Sequence, residues 1–136
     1  MIKALKVLMI IYSAAIVVWG LLFVFAPEQS LKMMGISGAT ATVKFFMAGA
    51  GVTWISIGVW AIIAARDVLR NLIPLKMLIT IALLASVFYI GSVIAGYVDF
   101  SNVLLGILMD GGFGILLLVF YPWKGKQTAA QVSKAT

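Results

Sequence analysis

The sequence predicts an all-α integral membrane protein, a four-helix bundle with both termini in the cytoplasm. Three observations carry that prediction: the composition, four long apolar stretches, and the side of each connection on which the basic residues fall. Of 136 residues, 64% are apolar and 10% charged, where a soluble domain has about 45 to 50% and about 25%. A domain this short has too much surface relative to its volume to hide so many apolar side chains from water. Length allows one domain, residues 1–123, and a polar remainder.

The first apolar stretch runs from about residue 7 to 26, VLMIIYSAAIVVWGLLFVFA, and carries no charge. Lys3 and Lys6 before it resemble the basic start of a signal peptide. The apolar run exceeds the roughly 7 to 15 residues of such a segment, and Ala26 is followed by Pro27, a poor context for cleavage, so a retained helix is expected. The second stretch, about 45 to 65, is FFMAGAGVTWISIGVWAIIAA, and the third, about 77 to 97, is MLITIALLASVFYIGSVIAGY. The fourth, about 103 to 121, is VLLGILMDGGFGILLLVFY and contains one carboxylate, Asp110. Each approaches the roughly 20 residues that a helix needs to cross about 30 Å of hydrocarbon. Membrane strands would instead show segments of about 10 residues alternating apolar and polar.

The connections are short. PEQSLKMMGISGATATV, residues 27–43, opens on a helix-ending proline, and its SLKMMGI core is expected to lie on the outer surface as a turn or two of amphipathic helix. RDVLRNLIPLK, residues 66–76, sets Arg66 and Arg70 four apart, on one helix face, with Pro74 in a helical first turn. Residues 124–136 are polar and basic and predict a disordered cytoplasmic tail.

Basic residues orient the chain. Lys3, Lys6, Arg66, Arg70, Lys76, Lys124, Lys126 and Lys134 fall on one side, and only Lys32 and Lys44 on the other. Eight against two places both termini in the cytoplasm of a cell whose inner (plasma) membrane holds the protein. The net charge of +6 is this orientation signal, with some attraction to anionic lipid. Spread over three segments without interleaved exposed aromatics, it does not describe a nucleic-acid surface.

Composition also excludes chemistry. With no histidine and no cysteine, the chain supplies neither the usual zinc or iron–sulfur ligands nor a thiol or histidine base, and no metal site or intrinsic cofactor is expected. Ser13, Ser56, Ser86 and Ser92 read as small packing residues, because nothing activates a serine nucleophile. An enzyme is not expected. Of the four carboxylates, Glu28, Asp67 and Asp99 fall in aqueous segments.

Asp110 is the residue that composition leaves unexplained. It lies about seven residues into the fourth span, roughly 10 Å below the outer hydrocarbon boundary. A charge there costs about 2.5 to 3.5 kcal/mol on the insertion scale, so the group must be neutralised, paired or wetted. Gly106, Asp110 and Gly114 recur at intervals of four, a stripe that faces the bundle and lets another helix backbone approach. Counting equal depth from the outer ends brings Trp19, Trp54, Tyr89 and Ser92 to the same layer, with Lys44 just above. In one reading Asp110 staples helices through these groups or pairs with Lys44. In the other it binds a proton or cation. Gly51, Gly58 and Gly91 mark further close helix contacts, some able to seat another subunit or copy.

The order of features resembles that of the small bacterial four-helix membrane proteins called DoxX-like. It is carried by KFFMAGAGVTWISIGVWAI in the second span, the basic RDVLRN turn, and an Asp-bearing fourth span ending in FYPW, and it covers most of residues 5–123. Lys44 stands where many such proteins have arginine. The resemblance implies a compact bundle, in some cases associated with quinone-linked oxidoreductase systems. Three functions stand as expectations: an accessory subunit of a larger membrane complex, an oligomeric proton- or cation-coupled transporter or channel using Asp110, and quinone or lipid binding within the bundle.

Overall fold

The computed structural model describes residues 2–123. The tail expected to be disordered, 124–136, lies outside the described residues. Four long helices are present: α1 (Ile2–Phe25), α3 (Ala41–Ala64), α4 (Leu72–Ile94) and α5 (Phe100–Val119), with a short α2 (Pro27–Met33) between the first two. At about 1.5 Å per residue the shortest, of 20 residues, spans about 30 Å. All four are long and apolar enough to cross a membrane. Large side chains such as Val18, Val52, Phe88 and Leu108 project outward, which suits a lipid environment.

Helix ends differ from the apolar stretches because local chemistry sets them. The Thr40 hydroxyl caps α3 by accepting from Val43 N at 3.3 Å, so the helix starts ahead of the first aromatic pair. Helix α4 ends at Ile94, before Tyr97, because Gly96 takes φ +72°. The Gly96 and Tyr97 amides then donate to Val93 and Ser92 carbonyls at 3.0 and 2.9 Å, the two bonds of a Schellman cap. Pro27 ends α1 and also begins α2, where its missing N–H costs nothing. Arg66 and Arg70 do not share a helix face, since Ala65–Asp67 is a 3-10 turn followed by irregular backbone.

The bundle is two antiparallel pairs. In the α1–α3 pair, a Cβ on Gly20 would lie 2.8 Å from Gly51 O, and one on Gly51 would lie 2.6 Å from Gly20 O. Further along, a Cβ on Gly58 would lie 2.8 Å from Ser13 O. Only glycine permits backbones this close. In the α4–α5 pair, Gly106 rests against the Tyr89 ring and Gly114 against Leu83 and Ala82. Gly91 has open space where its Cβ would stand, so no other helix of this chain packs closely against it.

The two pairs meet mainly in the half of the bundle away from α2. There Leu5, Met9, Leu75, Leu78, Ala82 and Leu117 are essentially inaccessible and form one core with Ala61, Ala64 and Val68. Toward α2 the pairs part, and a cavity opens between them.

Candidate functional site

Asp110 sits at the level where core gives way to cavity. Its side chain is buried at 6% exposure, and the Tyr12 hydroxyl donates to its Oδ1 at 2.8 Å. Tyr12 is itself 1% exposed. Its ring stacks on Phe113 with centroids 5.0 Å apart and planes inclined by 18°, which fixes the phenol's direction. Helix α1 places Tyr12 on the buried stripe of Leu5, Met9, Ser13 and Ile16, spaced at helical intervals. Helix α5 does the same for Asp110 through Val103, Gly114 and Leu117.

The cavity above this pair has a volume of about 280 Å³, near the lower end of the range for ligand pockets. Ile16, Trp19 and Phe23 line it from α1, Trp54 from α3, Tyr89 from α4, and Gly106, Met109 and Asp110 from α5. Met33, Met34, Ser101 and Asn102 form its rim at the α2 end. Trp19, Phe23 and Trp54 make a continuous aromatic wall with centroid separations of 6.0 and 5.9 Å. The walls are thus apolar and polarisable, and the polar groups gather at the floor and the rim.

Sequence reasoning put Trp19, Trp54 and Tyr89 in one layer with Asp110, and all three line the same cavity. Ser92 is directed elsewhere: its hydroxyl donates to Phe88 O at 2.8 Å on its own helix. Lys44 does not reach Asp110. Its ammonium lies 2.7 Å from Glu28 Oε2, and Lys32 holds the other Glu28 oxygen at 3.2 Å. Helix α2 supplies a nearer, solvated carboxylate, so the lysine need not extend into the bundle. The Lys44 hydrogen bond, with that of Lys32, holds the Glu28 carboxyl below the ordinary glutamate range.

Depth counted from the outer ends of the spans does not bring Tyr12 to the level of Asp110. Helix α5 begins at Phe100, before the apolar stretch does, so Asp110 is the eleventh of its 20 residues. Tyr12 is likewise the eleventh residue of the 24 in α1. Aligning midpoints of the helices, together with the spacing of Leu5, Met9, Tyr12 and Ile16, is the signal that would have found it.

Known families, curated proteins and solved structures offer no match to this chain. The site therefore rests on its own geometry, and the resemblance to DoxX-like proteins gains no support from these comparisons.

Among the described residues no group of three acidic, histidine or cysteine side chains is placed to hold a metal ion. None of their lysine or arginine nitrogens lies within 4.0 Å of Asp110. What the arrangement offers is one carboxyl group, oriented by one phenol, at the closed end of an aromatic cavity.

Proposed function

We propose that this chain is a ligand-binding accessory protein of the inner (plasma) membrane, taking a small amphipathic molecule into the Asp110 cavity on behalf of a larger membrane complex. The observation that carries the reading is the cavity itself: aromatic walls, a polar floor of Tyr12 and Asp110, and a rim at the bundle end that bears α2. Pockets of small-molecule sites have this character, apolar over most of their surface with few, well-placed polar groups.

The distribution of basic residues supports an orientation with both termini in the cytoplasm, so that α2 and the cavity rim face outward. The close core beneath Tyr12, built on Met9, Leu75, Leu78 and Leu117, favours binding over conduction, since a channel would need a path through it. A membrane-embedded quinone or lipid headgroup would enter by the same rim. Oligomerisation around exposed small residues remains compatible with the bundle and is not needed to complete the cavity.

The test is purification in native lipid or very mild detergent, followed by mass analysis of what accompanies the chain. A stoichiometric small molecule, lost from Asp110→Asn while a partner complex stays attached, is the expected result. An isolated chain carrying only bulk lipid overturns the proposal.

A further inference from the structure

The cavity's contents can be narrowed by charge. Asp110 is buried with a phenol as its hydrogen-bond partner, and no cationic side chain of the described residues approaches it. The two basic residues at the rim end, Lys32 and Lys44, are both engaged by Glu28. A carboxyl group in such surroundings is neutralised either by a proton or by a positive charge set against it, and among the described residues no lysine or arginine nitrogen lies within 4.0 Å to supply that charge.

We infer that the ligand of this cavity is a small organic cation, a quaternary ammonium or protonated amine with an apolar body, whose charge sits against Asp110. The inference rests on the ligand-binding reading above and specifies its chemical class. Three features agree with it. Trp19, Trp54 and Tyr89 present ring systems along the walls, and aromatic faces within about 6 Å attract a cation through the ring quadrupole, most strongly when water is excluded. Met33, Met34 and Met109 add polarisable contacts that adapt to an irregular apolar body. The O–H of Tyr12 already donates to Asp110 Oδ1, so it fixes the carboxylate and is not free to donate to the carbonyl of a neutral quinone.

An inorganic cation fits poorly. Calcium takes about six to eight oxygen ligands and magnesium a near-octahedral shell, whereas the floor supplies one carboxyl group and one phenol. A quaternary ammonium spreads its charge over its alkyl groups and is weakly hydrated, so it loses little on entering an aromatic cavity; a protonated amine gives up more hydration but can hydrogen-bond to Asp110.

The experiment uses two probes of one shape, benzyltrimethylammonium and its neutral carbon isostere neopentylbenzene. Both are titrated against full-length protein carrying Trp60→Phe and Trp123→Phe, which removes the two tryptophans outside the cavity, so that Trp19 and Trp54 report occupancy. The expected result is saturable quenching or shift with the ammonium at least tenfold tighter than the isostere, and loss of that preference in Asp110→Asn. Tyr12→Phe, which keeps the carboxylate, retains the preference. Equal affinity for the two probes, or tighter binding of the isostere, overturns the cationic class while leaving a binding cavity in place. No saturable response to either probe overturns both readings. The comparison of probes in the unsubstituted cavity decides the matter even where Asp110→Asn fails to fold.

Discussion

Tyr12 and Asp110, 98 residues apart in sequence, meet at 2.8 Å at the middle of the bundle, with the phenol donating to the carboxylate. This contact joins α1 of one helix pair to α5 of the other, at the point where their shared core ends. Removing it without removing the carboxylate separates its structural part from its role in binding. Tyr12→Phe should lower stability by about 0.5 to 2 kcal/mol, the range for hydrogen bonds between membrane helices, read by unfolding in detergent. Unchanged stability would mean that water or lipid replaces the phenol freely.

Asp110→Asn tests the carboxylate itself. An amide oxygen still accepts from Tyr12, so membrane insertion and the helical fold should persist while binding of the cationic probe falls at least tenfold. Loss of folded protein, with binding per folded molecule unchanged, would reduce Asp110 to a staple between helices.

The glycines of the α1–α3 seam are not interchangeable with those facing outward. Gly51→Ala drives a Cβ to 2.6 Å from Gly20 O and 2.8 Å from the Phe23 Cβ, and should destabilise by about 1 to 3 kcal/mol as the helices separate. Gly112 has nothing within 4 Å of the same position. Gly112→Ala should be neutral or stabilise by up to about 1 kcal/mol through helix propensity. Equal effects of the two changes on thermal unfolding would contradict the packing described.

Ser13 is fully buried, and its hydroxyl has no hydrogen-bond partner among the described residues. An unsatisfied buried hydroxyl is a cost that alanine removes. Ser13→Ala should therefore leave stability unchanged or raise it by up to about 1 kcal/mol in the same unfolding assay. A clear loss would show that Ser13 holds a partner, such as a water molecule, in the seam.

The clamp of α2 responds to acid. Lys44 and Lys32 hold the Glu28 carboxyl below the ordinary glutamate range, so the folded form binds that proton more weakly than the unfolded form does. The stabilisation is present above the unfolded value and is lost as pH falls through the folded one. Protection of the α2 amides, corrected for the intrinsic pH dependence of exchange, should hold through neutral pH and fall only below the ordinary glutamate range. Glu28→Gln should show the lower protection at neutral pH already. An acid-insensitive α2 in the unsubstituted protein would contradict the ion pairs as its anchor.

The helices were legible because hydropathy alone demands them, and their number followed from four uninterrupted runs. Asp110 was legible for the complementary reason, that a lone carboxylate in such a run has no bland explanation. Its partner was not. Tyr12 looks like any aromatic residue in an apolar stretch, and finding it requires the relative depth of α1 and α5, which depends on where caps and short helices end each span. Lys44 misled in the same way: by sequence its neighbour is the head of α3, and only the return of α2 brings Glu28 within 2.7 Å of it. Part of the cavity lining, the layer of Trp19, Trp54, Tyr89 and Asp110, was legible from depth along the spans; its shape and opening were not, since they arise from two glycine-tight pairs that part toward α2, a property of packing between elements and not of any one of them.

The central claim is that a cavity open at the α2 end reaches down to Asp110. Because the sequence contains no cysteine, single cysteines can be placed along it and labelled with a membrane-impermeant thiol reagent. Met109→Cys, beside Asp110 on the cavity wall, should label from the outer side of sealed vesicles and be protected by benzyltrimethylammonium, while Leu117→Cys in the core stays unlabelled from either side. Labelling of Met109→Cys only from the cytoplasmic side, or from neither side in a folded variant, would contradict the account.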